Sequence, residues 1–334
     1  MPTPGHVLCF GEILLRLSAP GGGALFQQPT LEANFGGAEA NVAVALSRLE
    51  IPSAIVSSLP ADAVGEAALD ALRRHGVDIT RIAFGNGRLG LYYLTPGMGM
   101  RASTVVYDRL NSLFAVRRDY DWPALLTGAR WLHLSGITPA IGPEMAEISL
   151  AAMKAARAAG ARVSFDGNFR ASMWGRWCAD PAPILRDHVD QADLLFGNHR
   201  DISLLLGRSF PGDGPARRRE AAEAAFARFP RLGHIASTAR HASDARQNSL
   251  SARIDTPHAA FETDALKISD IVDRIGTGDA FAAGVLARLD DGVEAAAICG
   301  LHLAALKHWT PGDQSLAVQR DLAIFSDGNA DVRR

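Results

Sequence analysis

Asp270-Ile271-Val272-Asp273-Arg274-Ile275-Gly276-Thr277-Gly278-Asp279-Ala280-Phe281-Ala282-Ala283-Gly284 is the stretch whose reading decides the fold. A β-branched approach runs into Gly-Thr-Gly, then an aspartate, then an alanine-rich run with helical periodicity. That order predicts a strand, a tight glycine turn and a helix start. Glycine lets the backbone approach a ligand closely and adopt positive φ. A helix beginning there presents free N–H groups, which make an anion site. Asp279 stands where that site opens. Its carboxylate is open to two readings, a helix N-cap or a general base beside an anion-stabilising nest.

A second glycine pair lies near the other end of the chain, in Gly36-Gly37-Ala38-Glu39-Ala40-Asn41. Ala38 to Leu49 reads as a helix, with Ala40, Val44 and Ala45 near one face. Asn41 falls one turn in, and its amide can both donate to and accept from hydroxyls. The competing reading is a glycine turn with a solvent-facing asparagine.

Between these sites the chain alternates. Val7–Phe10, Ser53–Leu59, Trp131–Leu134, Arg162–Phe165, Asp193–Phe196 and Gly233–Thr238 read as strands. Gly65–His75, Glu144–Ala159 and residues 217–229 read as helices, with Gly76 and Gly160 as stops. Polar residues recur just after the strands: Ser135, Asp166, Asn168, Arg170, Asn198, Ser237 and Thr238. In a parallel sheet those ends share one edge, where doubly wound folds bind ligands. This clustering favours a site at Asp279 over a cap.

Two β-rich runs, 89–94 and 103–107, flank Pro96-Gly97-Met98-Gly99 and read as a hairpin. With 13–17 and 31–35 they would form a small sheet outside the main layer. Tyr93, Tyr107 and Arg109 come at its ends, where a lid would meet a ligand. An apolar face on such a sheet favours a homodimer. Residues 240–250 read as a loop or edge hairpin.

Composition narrows the function classes. The chain has 334 residues, 48% hydrophobic and 21% charged, enough to bury a sizeable core. A net charge of −2 gives no electrostatic argument for nucleic acid or an anionic membrane. Three scattered cysteines, Cys9, Cys178 and Cys299, offer neither a disulfide framework nor zinc spacing. Met1–Gly5 lacks a signal-peptide pattern, and no apolar run reaches the ~18 residues of a membrane span. The expectation is a cytoplasmic protein that binds small molecules.

The motifs now carry a resemblance. Gly276–Phe281 and Gly36–Ala43 resemble the C-terminal and N-terminal signatures of the ribokinase-like (PfkB) carbohydrate kinases. Within that family, 10–17, 37–41, 135–138, Asp166-Gly167-Asn168-Phe169-Arg170 with Trp174, and 307–313 resemble 2-keto-3-deoxygluconate kinases. The resemblance implies one α/β domain over 1–334, a three-layer αβα sandwich with a small β-sheet lid from about 13–36 and 89–109. It implies transfer of phosphate from ATP, with Mg²⁺, to the terminal hydroxyl of a keto sugar acid. It leaves open a monovalent cation such as K⁺ beside the anion nest.

The roles it implies are as follows. Asp279 would deprotonate the sugar hydroxyl, and the backbone of Gly276, Thr277 and Gly278 would neutralise the transferring phosphoryl group. Gly36, Gly37, Asn41, Tyr93, Tyr107, Arg109, Ile137, Arg170 and Asp313 would hold the sugar. Asn198, Ser237, Thr238, Arg240 and Lys307, with Gly276 and Gly278, would lie near the nucleotide. Two segments depart from the family pattern. Asp201 stands where glutamate is usual, and Ser237-Thr238-Ala239-Arg240-His241 replaces a Lys-x-Gly segment.

An acidic sugar needs a cation for its carboxylate, and Arg109 and Arg170 are the available forks. Rival readings are a fructokinase-like or ribokinase-like enzyme, a catalytically silent sugar-binding protein on the same fold, and a nicotinamide oxidoreductase. Against the last, Phe10–Leu15 carries one glycine where a dinucleotide fingerprint needs Gly-x-Gly-x-x-Gly.

Overall fold

Alternate residues of the first strand go to opposite cores. Along His6–Phe10, Val7 and Cys9 belong to one buried cluster, Leu8 and Phe10 to the other. Such a strand is buried on both faces, as parallel sheets require. The computed structural model describes residues 5–212, 214–242, 244–326 and 328; the first four residues of the N-terminus read above lie outside them.

The strands, in chain order, are β1 (His6–Phe10), β2 (Leu14–Ser18), β3 (Glu32–Gly36), β4 (Ser53–Pro60), β5 (Ile82–Gly85), β6 (Gly90–Thr95) and β7 (Thr104–Asp108). They continue as β8 (Ala129–Ser135), β9 (Arg162–Asp166), β10 (Leu194–Phe196), β11 (His234–Ala242), β12 (Asn248–Asp255), β13 (Ala260–Glu262) and β14 (Leu266–Ile268). The large sheet has the order β13-β12-β11-β10-β9-β8-β1-β4-β5, with β14 also paired to β12. From β11 to β5 every pairing is parallel. Helices Ala38–Arg48, Thr277–Arg288 and Val293–His308 cover one face, and Pro143–Ala158 and Gly214–Arg228 the other. The result is a three-layer α/β sandwich, as expected.

From β1 the chain moves to β4 and β5 on one side, then returns to β8 on the other. The crevice at the C-terminal ends of β1 and β8 is therefore the topological switch point, where open sheets bind ligands. Gly11-Glu12, Ser135-Gly136 and, one strand further, Asp166 end there.

A second sheet, β3-β2-β6-β7, stands apart from the first. β2 and β6 pair in parallel, and the other two pairs are antiparallel. Residues 240–242 and 248–250 are the paired ends of an antiparallel hairpin, because β11 runs on to Ala242 and β12 returns from Asn248.

One expectation is corrected. No strand runs into Gly276. β14 ends at Ile268, and residues 270–275 are irregular. Asp270 takes φ 54°, a left-handed conformation that aspartate tolerates better than most residues. The Asp273 carboxylate then accepts from Ile275 N at 2.9 Å, so side-chain capping replaces a ladder.

The helix that follows is held rigidly. Phe281, Ala282, Ala283, Val285 and Leu286 are all buried. Gly284 meets Gly300 of Val293–His308 so closely that an added Cβ would lie 2.7 Å from the Gly300 Cα. Small residues thus let the two helix backbones touch.

Candidate active site

Two helix starts converge in the crevice, each from a glycine with positive φ. Gly276 has φ 80° and precedes Thr277–Arg288; Gly37 has φ 140° and precedes Ala38–Arg48. Neither position has room for a side chain. A Cβ on Gly276 would collide with the Asp313 carbonyl, and one on Gly37 with that of Glu12. By contrast, a Cβ on Gly278 would meet nothing within 4 Å. The helix start is therefore tight behind and open in front. Of its first N–H groups, that of Thr277 makes only a 3.4 Å contact to Arg274 O. The rest lack intrahelical partners, as at any helix N-terminus.

Asp279 is not the helix cap. Gly276 holds that position without a side-chain bond, and the Asp279 Oδ2 instead accepts from Asn41 Nδ2 at 2.6 Å. This contact joins residues 238 apart and pins the two helix starts together. Asn41 is 3% exposed, and its Oδ1 has no protein partner among the described residues. A buried acceptor left free calls for a ligand donor.

Carboxyls form the floor. Burial pushes the Asp279 carboxyl up to about 8; the Asn41 bond works against this, and Asp166, Glu39 and Asp313 reinforce it. Asp166, at the end of β9, is pushed up to about 7 by burial and by neighbouring Asp201. Burial also raises Glu39, although it accepts from Ser135 N at 2.8 Å. Arginines line the outer part: Arg170, Arg200, Arg240 and Arg274. Among the described residues none of the four makes an ion pair; Arg274 donates to the backbone carbonyl of Asp244. The cavity between floor and rim has a volume of about 570 Å³, ample for a sugar with part of a nucleotide.

Of the expected sugar contacts, Gly37, Asn41, Tyr107, Arg109, Ile137, Arg170 and Asp313 line this cavity, and Gly36 and Tyr93 do not. Gly36 instead leaves room for the Asp313 carboxylate, which a Cβ would strike. Tyr93 is on the other face of β6, its ring 6.1 Å from that of Phe26. Tyr92 takes its place, and its hydroxyl donates to Asp313 Oδ2. Strand side chains alternate, so one residue of register decides which tyrosine faces the ligand.

Arg109 lines the cavity with its charge already neutralised. It is 5% exposed and pairs with Glu12, Nε to Oε2 at 2.8 Å. Ser112 Oγ donates to the other Glu12 oxygen at 2.5 Å. Arg170 is therefore the free fork of the two.

On the nucleotide side, Asn198, Thr238 and Arg240 line the cavity with Gly276 and Gly278. Ser237 does not, because alternation along β11 turns it away from the face of Thr238 and Arg240. Lys307 is also misplaced by the sequence reading. It is fully buried, donates to Thr310 O at 2.9 Å, and burial lowers its ammonium to about 8. Its neighbour His308 lines the cavity instead. Asn198 caps His199–Leu206 by accepting from Arg200 N at 2.8 Å, and Asp201 accepts from Asn198 N at 2.8 Å. The departure at Asp201 is thus a capping box.

Glu12, Glu39, Tyr92 and Arg274 are cavity residues that the sequence reading did not assign. For Glu12 and Glu39 the signal was available: acidic residues beside Gly11 and Gly37, in the same turns.

Comparison with known proteins agrees with this geometry. Residues 5–319 match the family described as pfkB family carbohydrate kinase. The 2-dehydro-3-deoxygalactonokinase of Haloferax volcanii is 31% identical over 335 residues, covering 98% of this chain and 99% of its own. The 2-dehydro-3-deoxygluconokinase of Bacillus subtilis is 28% identical, covering 97% and 96%. The crystal structure of 2-dehydro-3-deoxygluconokinase from Thermotoga maritima superposes with a TM-score of 0.91 at 34% identity, over 97% of this chain and all of that one. This chain belongs to the pfkB family of carbohydrate kinases.

Proposed function

We infer that the protein is an ATP-dependent kinase of 2-keto-3-deoxygluconate, or of a closely related 2-keto-3-deoxy sugar acid, that esterifies the terminal hydroxyl to give the 6-phosphate. The observation that carries this is the Asp279–Asn41 contact at the meeting of two glycine-started helices, under a rim of unpaired arginines. The named relatives support the substrate class, and they include both the gluconate and the galactonate epimers.

In this reading Asn41 Oδ1 accepts from a sugar hydroxyl and its Nδ2 holds Asp279 in line. Asp279 takes the proton of the terminal hydroxyl as the new O–P bond forms and the bond from the γ-phosphorus to the bridging oxygen breaks, releasing ADP. The N–H groups at Thr277–Asp279 and the rim arginines stabilise charge on the transferring group. Arg170 pairs with the sugar carboxylate. The small sheet, through Tyr92, Val105 and Tyr107, acts as a lid that keeps water from competing as acceptor.

The residues fit a nucleotide-borne Mg²⁺. Asp166, raised by burial and by neighbouring Asp201, lines the floor and would be a carboxyl able to hold the ion or its waters. Among the described residues no three His, Cys, Asp or Glu side chains are grouped to hold a metal alone. Bound with the nucleotide, Mg²⁺ would neutralise phosphate charge. No helix of the described residues is long and apolar enough to cross a membrane, and we place the enzyme in the cytoplasm.

The test is ADP release with ATP and Mg²⁺ across both 2-keto-3-deoxy sugar acids, fructose and ribose. Turnover of a keto sugar acid at a kcat/KM at least about tenfold above the neutral sugars supports the reading. Preference for fructose or ribose would replace the substrate. No turnover with any sugar would make this a silent binder.

A further inference from the structure

The Arg274-Ile275-Gly276 turn is bracketed by two carboxylates. Asp273 accepts from Ile275 N through Oδ1 at 2.9 Å and from Gly312 N through Oδ2 at 3.1 Å. Asp313 presses its backbone carbonyl into the space a Gly276 side chain would need. One guanidinium binds both. Arg16 Nη2 reaches Asp273 Oδ2 at 2.6 Å, and Nη1 reaches Asp313 Oδ1 at 2.9 Å. Arg16 is 3% exposed and belongs to β2, in the small sheet. The parallel register sets it beside Tyr92, which takes the remaining Asp313 oxygen.

Two carboxylates enclosed this closely need a positive charge, or one of them takes a proton. An alkali cation on the Asp273 side of the nest would draw its counter-charge from these same carboxylates. All four already have partners: Asp273 Oδ1 and Oδ2, Asp313 Oδ1 and Oδ2. With the Arg16 charge already held between the two carboxylates, little negative charge is left to attract a free K⁺ on the Asp273 side of the turn.

We propose that Arg16 is the tethered cation of this site, a positioning residue that replaces an added alkali cation and fixes the glycine turn from the small sheet. Turnover then needs neither K⁺ nor Na⁺. Because Arg16 is carried by β2, the turn keeps its shape only while the small sheet is seated on it. Burial alone would lower the arginine's pKa; the two carboxylates outweigh it and raise it. The catalytic half of this proposal rests on the kinase reading above, and the salt response of the fold does not.

The experiment compares the wild type with Arg16→Met and Arg16→Lys in KCl, NaCl and tetramethylammonium chloride at equal ionic strength. Thermal unfolding and ADP release are both read. The wild type should unfold at the same temperature in all three salts, within about 1 °C, and turn over equally. Arg16→Met should unfold earlier, with K⁺ recovering part of the loss, and should lose about tenfold or more in kcat with little change in sugar KM. Arg16→Lys keeps a charge without the fork and should recover part of both. A K⁺-specific rise in wild-type stability or turnover overturns the proposal, as does an Arg16→Met enzyme with wild-type kcat. If Arg16→Met does not fold, the wild-type salt series and Arg16→Lys decide alone. A wild type silent with every sugar yet insensitive to K⁺ in unfolding would remove the kinase reading and leave the tethered cation.

Discussion

Asp279 is a carboxyl kept in poor surroundings, and its cost and use are the same fact. Its pKa of about 8 means the folded protein holds that proton far more tightly than the unfolded chain. Folded stability from this group is therefore present at low pH and is lost as pH rises through about 8. Asp279→Asn cannot ionise, so it should gain stability relative to wild type at pH 9 and gain less at pH 6; paired thermal scans at the two pH values check this. Activity runs the other way. The base must be ionised, so kcat/KM should climb with pH, reach half its maximum near 8 and level off above that, and Asp279→Asn should lower kcat by about a thousandfold or more with nucleotide affinity retained. A flat profile between pH 6 and 8 would mean that another group takes the proton.

The neighbouring glycines separate folding from chemistry at the same scale. Gly276→Ala meets positive φ and the Asp313 carbonyl, so it should cost about 2 kcal/mol or more in chemical unfolding. Gly278→Ala meets open space, so its fold should be unharmed. Its methyl would sit where the transferring group is held, so kcat should fall. Arg170→Ala should raise KM for a sugar acid well beyond its effect on a neutral ketose. Arg109→Ala should instead lower the stability of the fold, since it strands Glu12 in a buried site.

At the scale of elements, the alternation of strands and helices was legible because the central strands bury both faces and the helices around the site begin on glycine. The glycine turns and Asn41 were legible for the same reason: few residue types suit those positions. The parity of β6 and β11 was not. A run such as Leu91-Tyr92-Tyr93-Leu94 is aromatic on both faces, and only its seat on Asp313 selects Tyr92. The pairs Arg16–Asp273, Arg16–Asp313 and Glu12–Arg109 join residues at least 97 apart, so no periodicity reveals them. Lys307 misleads in the opposite way, since a lysine after an apolar helix reads as a surface cation and is here enclosed. The approach to Gly276 read as a strand because β-branched residues fill it, yet the Asp273 side chain takes the backbone bonds that a strand would need.

At the scale of the molecule, the switch point between β1, β4 and β8 gathers residues from both ends of the chain into one cavity. Val106 of β7 and Phe26, beside Tyr93, are exposed on the side of the small sheet away from the cavity, and Met98 and Met100 are exposed in the connection between β6 and β7. We expect that side to pair with a second copy, so the protein should run as a dimer in light scattering and Val106→Glu should shift it towards monomer; a monomeric wild type would remove this expectation.

The central claim is that Asp279, held by Asn41 over a backbone-amide turn, carries phosphate transfer to a keto sugar acid. Steady-state ADP release with ATP, Mg²⁺ and 2-keto-3-deoxygluconate, run side by side on wild type and Asp279→Asn, tests it most directly. The account predicts turnover by the wild type and a loss of about a thousandfold or more in the variant. Comparable kcat in the two proteins would contradict it.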